Sequence, residues 1–467
     1  MQRLIKVKHL KYLLSFNPID TSTETGRSRE RYRRSFLTTI SIIFSKFITS
    51  AVMIISVPLT IKYLGTESFG LWMTLSSVLL ILNPFADLGL GVSYMNKISE
   101  SIGKQDRNLA RKYTSNAIFI VSTVAVILLL LFLLLNPFIN WAEFLKLKTE
   151  IAASQVHNAM ISLIILFAIG LPLVIVEKFQ EGNQEGYFSN LWQSVGTLMS
   201  LGGICFVVYF QLGLTALIYA TLGFTILLRL LNFIFQFYFK KKWAAPKVKD
   251  IDVAITKNLL KTGMIFFVMD VFQVIGYSSD NFVISNILGA SSVALYGVVQ
   301  KLSLLALIFG AFTGSLWPAY TEALARGDYS WVKRTIKKTI IINLVLGILI
   351  GVFVTTCGSW IIYKWTGGRL LPSTSLLLGF SFFIVVNGLV GSCAIIYNSS
   401  FILKWQLPLI IVSAFSSIIL KVFLCRNYGI SGVIWATVIS YTLFYLLPSW
   451  IIINKIFLEK LEFQKKT

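Results

Sequence analysis

The stretch AIFIVSTVAVILLLLFLLL, Ala117–Leu135, runs nineteen residues without a charge. A helix needs about 20 apolar residues to cross the hydrocarbon of a bilayer. Similar unbroken runs follow one another along the chain, whereas a membrane barrel strand would alternate apolar and polar residues. Lipid offers the backbone no hydrogen-bond partner, so a chain of such runs crosses as helices. Composition agrees: 56% of the 467 residues are hydrophobic and 13% are charged, against roughly 25% charged in soluble domains.

Outward from this run, the sequence predicts an all-α integral membrane protein with twelve spans. They cover about 36–62, 70–94, 114–138, 158–177, 189–210, 212–237, 263–288, 292–318, 338–357, 374–397, 407–425 and 430–453. The connections alternate in charge. Loop 95–113 carries Lys97, Lys104, Arg107, Arg111 and Lys112, and loop 238–262 carries seven lysines. Loop 319–337 carries Arg326, Lys333, Arg334 and Lys337, while the connections between these loops carry few bases. The positive-inside rule then places both termini in the cytoplasm, and an even span count puts them on one side. The formal charge of +22 reads as this loop bias, not as a nucleic-acid surface. The expected location is a bacterial cytoplasmic membrane. The longest outer connection, about 139–157, has room for a turn or two of helix and none for a catalytic domain.

The two halves repeat. Leu64-Gly65 with Phe69-Gly70-Leu71-Trp72 returns as Leu288-Gly289 with Val293-Ala294-Leu295-Tyr296, an offset of 224. Glu100, Asp106, Arg111 and Lys112 return as Glu322, Asp328, Lys333 and Arg334, an offset of 222. Gly213–Thr221 returns as Gly429–Thr437, an offset of 216. Six spans per half give both halves one orientation, as in transporters built from parallel repeats. The expected divisions are a basic segment 1–35, an N-terminal lobe 36–237, a linker 238–262, a C-terminal lobe 263–453 and a tail 454–467. The two lobes would flank a central cavity. Met1–Leu14 reads either as an interfacial helix or as an unstructured basic tail.

Chemistry is sparse. Cys205, Cys357, Cys393 and Cys425 lie in or beside apolar runs and read as small buried hydrophobes. His9 and His157 form no ligand or triad pattern. Six charges within the spans stand out: Lys46, Asp87, Arg229, Asp270, Asp280 and Lys301. An ionisable group at membrane depth costs a few kcal/mol or more, and it usually faces a bundle interior or watery cavity. Lys46 lies ten residues into its apolar run, roughly 15 Å deep at ~1.5 Å per residue. The 224-residue offset matches Lys46 to Asp270. The two either pair across the cavity in one state or form a static bridge, unless Lys46 snorkels to the interface. Arg229 has a static alternative too, a pairing with Asp87.

Val57–Trp72 (VPLTIKYLGTESFGLW), Asp87-Leu88-Gly89-Leu90-Gly91, Gln180-Glu181-Gly182 with Glu185-Gly186-Tyr187, and Asp280–Gly289 carry a likeness. Together they resemble the O-antigen and polysaccharide flippases (Wzx-type) of the multidrug/oligosaccharidyl-lipid/polysaccharide (MOP) exporter superfamily. The likeness runs over most of 36–453 and leaves 1–35 outside it. It implies a MATE-like fold and transport of an undecaprenyl-pyrophosphate-linked oligosaccharide from the inner to the outer membrane face. Such a headgroup is anionic and needs a hydrated, cationic path. Lys46, Arg229 and Lys301 are the candidate cations, Arg for forked contacts and Lys as a point charge. Asp270, Asp280 and Asp87 are candidates for H⁺ or Na⁺ coupling or for balancing those cations. No other cofactor is expected. Membrane lipids and other polysaccharide assembly proteins are the expected partners.

Three rival functions fit the sequence less well. A drug-export antiporter would share the plan but has no need of Lys46 and Lys301 at mid-depth. A polymerase or glycosyltransferase would need a large outer or soluble region. A major-facilitator transporter would show a Gly-x-x-x-Asp-[Arg/Lys]-x-Gly-[Arg/Lys] loop after the second span, which is not found.

Overall fold

The computed structural model describes residues 17–144, 150–288, 290–302, 307–365, 371–399 and 403–457; within these, the side chains of 57, 58, 61, 65–71, 73–87, 142, 144, 150–155, 274, 277, 278, 281, 282, 285, 290, 291, 293, 294, 302, 307–309, 365, 456 and 457 are also outside the description. Met1–Leu14, Gly289 and the Asp87 side chain, all used above, therefore lie outside it. Every regular element among the described residues is helical. Nine helices there are long and apolar enough to cross a membrane. The other three expected spans, 70–94, 263–288 and 292–318, each include side chains outside the description.

The chain divides into two compact units, one ending at Phe267 and the other beginning at Val268. The first contains α1 (Glu24–Asp87), α2 (Leu90–Gly103), α3 (Arg107–Leu135), α4 (Glu150–Gly182) and α5 (Gly186–Phe210). It also contains α6 (Gly213–Lys240), whose turns at Tyr219–Gly223 and Phe235–Lys240 widen to π-helix. The charge-free run Ala117–Leu135 forms the C-terminal part of α3. Its outward residues Leu130 and Leu134 are 60% and 66% exposed, as lipid-facing side chains should be. The connection after α3 does hold a short helix, Trp141–Phe144.

Helix α1 begins twelve residues before the expected span, at Glu24. The Thr23 hydroxyl accepts a hydrogen bond from the Gly26 amide at 3.0 Å, an N-cap that satisfies one orphan donor. Glu30, Arg31 and Arg33 are buried. The segment 24–35, expected to be a separate tail, thus continues the first span into the packed unit.

Between α1 and α2 the chain turns through Leu88 and Gly89, both with positive φ (48° and 66°). A Cβ on Gly89 would come within 2.2 Å of the Gly263 carbonyl oxygen, so only glycine fits. The Ser93 hydroxyl, one turn on, donates to the Leu259 carbonyl at 3.1 Å. These contacts fasten the start of α7 (Val253–Leu288) to the first unit. They explain why that unit runs past the expected linker end at 262.

The second unit takes the rest of α7, then α8 (Ala290–Leu302), α9 (Leu307–Ala325), α10 (Tyr329–Trp365), α11 (Thr374–Ser399), α12 (Leu403–Tyr428) and α13 (Ile430–Lys455). Its core joins Ile284, Tyr296, Val299, Leu376, Phe380 and Val433. Helices α10 and α11 approach closely where α10 is glycine. A Cβ on Gly347 would stand 3.1 Å from Val385 Cα, and Ser381 donates to the Gly351 carbonyl at 2.8 Å. Small residues at such crossings replace hydrophobic drive with close backbone packing.

The repeat is visible in the turns. Lys104 reaches Glu100 at 2.6 Å before Gln105 takes positive φ. Arg326 reaches Glu322 at 2.5 Å before Gly327 does the same. The offset is 222 for every residue. Gly213, the first residue of α6, and Gly429, just before α13, are offset by 216 and both have positive φ.

Candidate substrate and ion sites

The six charges divide between the units. Lys46, on α1, is exposed, while its neighbour Ser45 is buried against the first unit. Asp270, on α7, is exposed and belongs to the second unit. Lys301 is exposed in the last turn of α8.

Arg229 pairs with a carboxylate that the sequence reading did not single out. Its Nε donates to Oε1 of Glu177 on α4 at 2.8 Å, with the two side chains 27% and 18% exposed. Asp87, the partner in the static alternative, lies outside the described side chains. Glu177 closes the fourth expected span and was not among the six charges. The other guanidinium nitrogens keep their hydrogens for further acceptors. Arg229 also lines a small, largely apolar groove of about 80 Å³, together with Phe167, Gly170, Val174, Leu222 and Ile226. Below it, the Gln180 amide donates to Asn232 at 2.7 Å and to Gln236 at 3.2 Å. A cation above an apolar slot suits an anionic group with an apolar arm.

Asp280 has acquired a partner that the sequence reading overlooked. Lys421, on α12, brings Nζ to 2.5 Å from Asp280 Oδ1, and Tyr296 on α8 donates to Oδ2 at 2.6 Å. Lys421 also donates to the Ser279 hydroxyl at 3.1 Å and to the Gly276 carbonyl. Both charges are buried, Lys421 completely. Burying an ion is tolerated when its partner and remaining donors are met, and here three helices meet that demand. Lys421 lies inside the predicted span 407–425. The signal was on the page, in a second charge of opposite sign within an apolar run.

A third cluster sits at the end of the first unit. Glu185, in the turn between α4 and α5, accepts from Lys240 at 3.3 Å and Lys241 at 3.2 Å. Burial would raise the Glu185 carboxyl, but Lys241, Lys240 and Arg34 outweigh it and hold the group below its ordinary value. Burial pushes the Lys241 ammonium down to about 8, with Glu185 opposing. Glu30 meanwhile binds Arg33 at 2.7 Å and Arg34 at 2.6 Å.

Residues 37–324 match the family model described as polysaccharide biosynthesis protein. The chain belongs to that family. A Salmonella typhi protein assigned as an O-antigen transporter is 23% identical over 426 residues, covering 90% of this chain and 96% of its own. A Salmonella typhimurium protein with the same assignment is 25% identical, covering 86% and 93%. Solved structures share the fold. A multidrug resistance MATE transporter of the MOP superfamily, in an outward-facing conformation, aligns with a TM-score of 0.78 at 16% identity, over 96% of this chain and 100% of that one. MATE in its bent conformation gives 0.79 at 15% identity, over 98% and 99%. A MOP superfamily transporter from Pyrococcus furiosus, described as reversing binding-pocket polarity, gives 0.76 at 15%, over 96% and 100%. This member of the polysaccharide biosynthesis protein family is thus a MATE-like, multi-pass membrane transporter, as its sequence led us to expect.

Proposed function

We propose that the chain carries an undecaprenyl-pyrophosphate-linked oligosaccharide from the inner to the outer face of a bacterial cytoplasmic membrane by alternating access. The observation that supports this cargo most directly is the similarity, over most of the chain, to two proteins assigned as O-antigen transporters. The physics of the cargo agrees. Its headgroup is anionic and cannot enter hydrocarbon unaided, while its prenyl tail can stay in lipid. Lys46, Arg229 and Lys301 supply cations within spans, and Arg229 adds an apolar groove beside its charge. Asp270 is the carboxylate best placed to take up H⁺ or Na⁺, because it is exposed. Asp280 is held by Lys421 and serves the frame of its unit. A likeness of fold to MATE transporters does not choose the cargo, since the fold is common to both branches.

The test is complementation. In a strain lacking this chain, Lys46→Ala and Lys301→Ala are expected to abolish surface polysaccharide while the protein remains at wild-type level in the membrane. Full surface polysaccharide in both variants would overturn the cation assignment. Uptake of a drug cation by vesicles, with no effect on polysaccharide, would favour the small-molecule antiporter instead.

A further inference from the structure

The turn between α4 and α5 collects more positive charge than it neutralises. Glu185 meets Lys240 and Lys241; Glu30 meets Arg33 and Arg34. Among the described residues, Glu185 alone faces both Lys240 and Lys241, one cation more than it neutralises. Arg34 ties the two pairs into one cluster. Its Nη1 donates to the Asn183 carbonyl at 3.1 Å, and its charge acts on both Glu185 and Lys241. Lys240 also lies over the Phe188 ring, 3.4 Å from its centroid. Lys240, Lys241 and Arg34 keep 24%, 18% and 26% exposure, so a ligand can reach them.

A second observation points to an acceptor that would complete the cluster. The Asn183 side chain is 5% exposed, yet its Nδ2 donor has no partner. The Nε2 donor of Gln236, one turn before Lys240, is also buried and unpartnered. Buried donors without acceptors are costly, and Asn183 borders the cations directly, since Arg34 holds its carbonyl. Anionic oxygens satisfy donors and cations together.

We propose that Arg34, Asn183, Lys240 and Lys241 form a docking site for a diphosphate headgroup at this end of the first unit, separate from Arg229 and the mid-span charges. A diphosphate diester carries two negative charges, which Lys240, Lys241 and Arg34 can meet beyond what Glu185 neutralises. The inference rests on the reading above for its biological source, since lysine-rich loop 238–262 would then face the side where lipid-linked cargo arrives. The shared chemistry is the diphosphate group, free or lipid-borne.

The test uses the full chain purified in dodecyl maltoside and titrated calorimetrically with farnesyl diphosphate at low salt. Combined Lys240→Gln and Lys241→Gln should weaken binding at least tenfold. Glu185→Gln raises the surplus by one charge and should tighten binding several-fold; it also keeps the test valid if the double variant folds poorly. Lys257→Gln, at an exposed position on α7, should change nothing. Inorganic pyrophosphate should compete, and phosphatidylglycerol at equal concentration should not. Identical affinity in the wild type, the double variant and Glu185→Gln would overturn the site. Equal competition by phosphatidylglycerol would overturn diphosphate selectivity and make it an ordinary anionic-lipid contact. Binding is read without transport, so its failure leaves the Lys46 and Lys301 complementation result, and the transport reading, standing.

Discussion

Lys421 Nζ sits 2.5 Å from Asp280 Oδ1, and the two side chains are 0% and 6% exposed. Removing one partner of a buried pair leaves a bare charge, at a cost of about 3–5 kcal/mol. Lys421→Met alone is therefore expected to lower stability sharply. Lys421→Met with Asp280→Leu should recover most of the loss, because the pair then leaves together. Thermal unfolding in mild detergent measures both; a double variant no better than the single one would refute a buried pair.

Arg229 and Glu177 allow a cleaner functional test, because both stay partly exposed. If Arg229 holds cargo through its remaining donors, Arg229→Gln abolishes surface polysaccharide and Glu177→Gln reduces it less than about threefold. Arg229→Lys should also fail, since an ammonium cannot reproduce a forked contact. Restoration of activity in the double glutamine variant would show instead that the pair is only structural.

Gly89 is the tightest point of the first unit's entry turn. A Cβ there meets the Gly263 carbonyl oxygen at 2.2 Å and the Phe267 amide nitrogen at 2.7 Å, at a φ of 66°. Gly89→Ala should cost about 1–3 kcal/mol from overpacking, besides the strain of a left-handed alanine. A lower unfolding midpoint and less protein in the membrane are the expected readings. An unchanged midpoint would contradict the contact between α2 and α7.

Lys241 and Glu185 give a pH dependence of definite sign. Lys241 falls from an ordinary 10.5 to about 8 in the folded chain. Between those limits the unfolded chain holds a proton that the folded chain has released, so Lys241 makes folding more favourable as pH rises. Glu185, held below its ordinary 4.5, contributes stability above that value and loses it as pH falls. The wild type should gain stability relative to Lys241→Gln from pH 8 to 10.5. A difference that stays flat across that window would contradict the burial of Lys241.

Much of the architecture was legible because lipid reads sequence coarsely. Length and absence of charge mark spans such as Ala117–Leu135 without reference to any partner. The repeat was legible for a local reason. A Glu with a basic residue four positions on, before a left-handed turn, is a helix end written in about six consecutive residues, and it occurs at Glu100 and again at Glu322. Pairing was less legible. Asp280 was singled out but Lys421 was not, although it lay inside a predicted span. Glu177, on the neighbouring helix α4, stands beside Arg229 and was not singled out. Such partners are chosen by how helices pack side by side, and periodicity along one helix carries no record of that choice. The cluster around Glu185 was hidden differently. Its lysines read as ordinary cytoplasmic bias, and only folding shows which of them lose water.

The Asp280–Lys421 pair also sets an order of events during synthesis. The aspartate leaves the ribosome 141 residues before the lysine that neutralises it. At about 5–20 residues per second, Asp280 waits on the order of ten seconds with its span already made. During that interval the nascent unit carries an open carboxylate that membrane quality control can recognise. A chain cut short anywhere before α12 would keep that mark indefinitely, so degradation rather than accumulation is the fate expected of truncated copies.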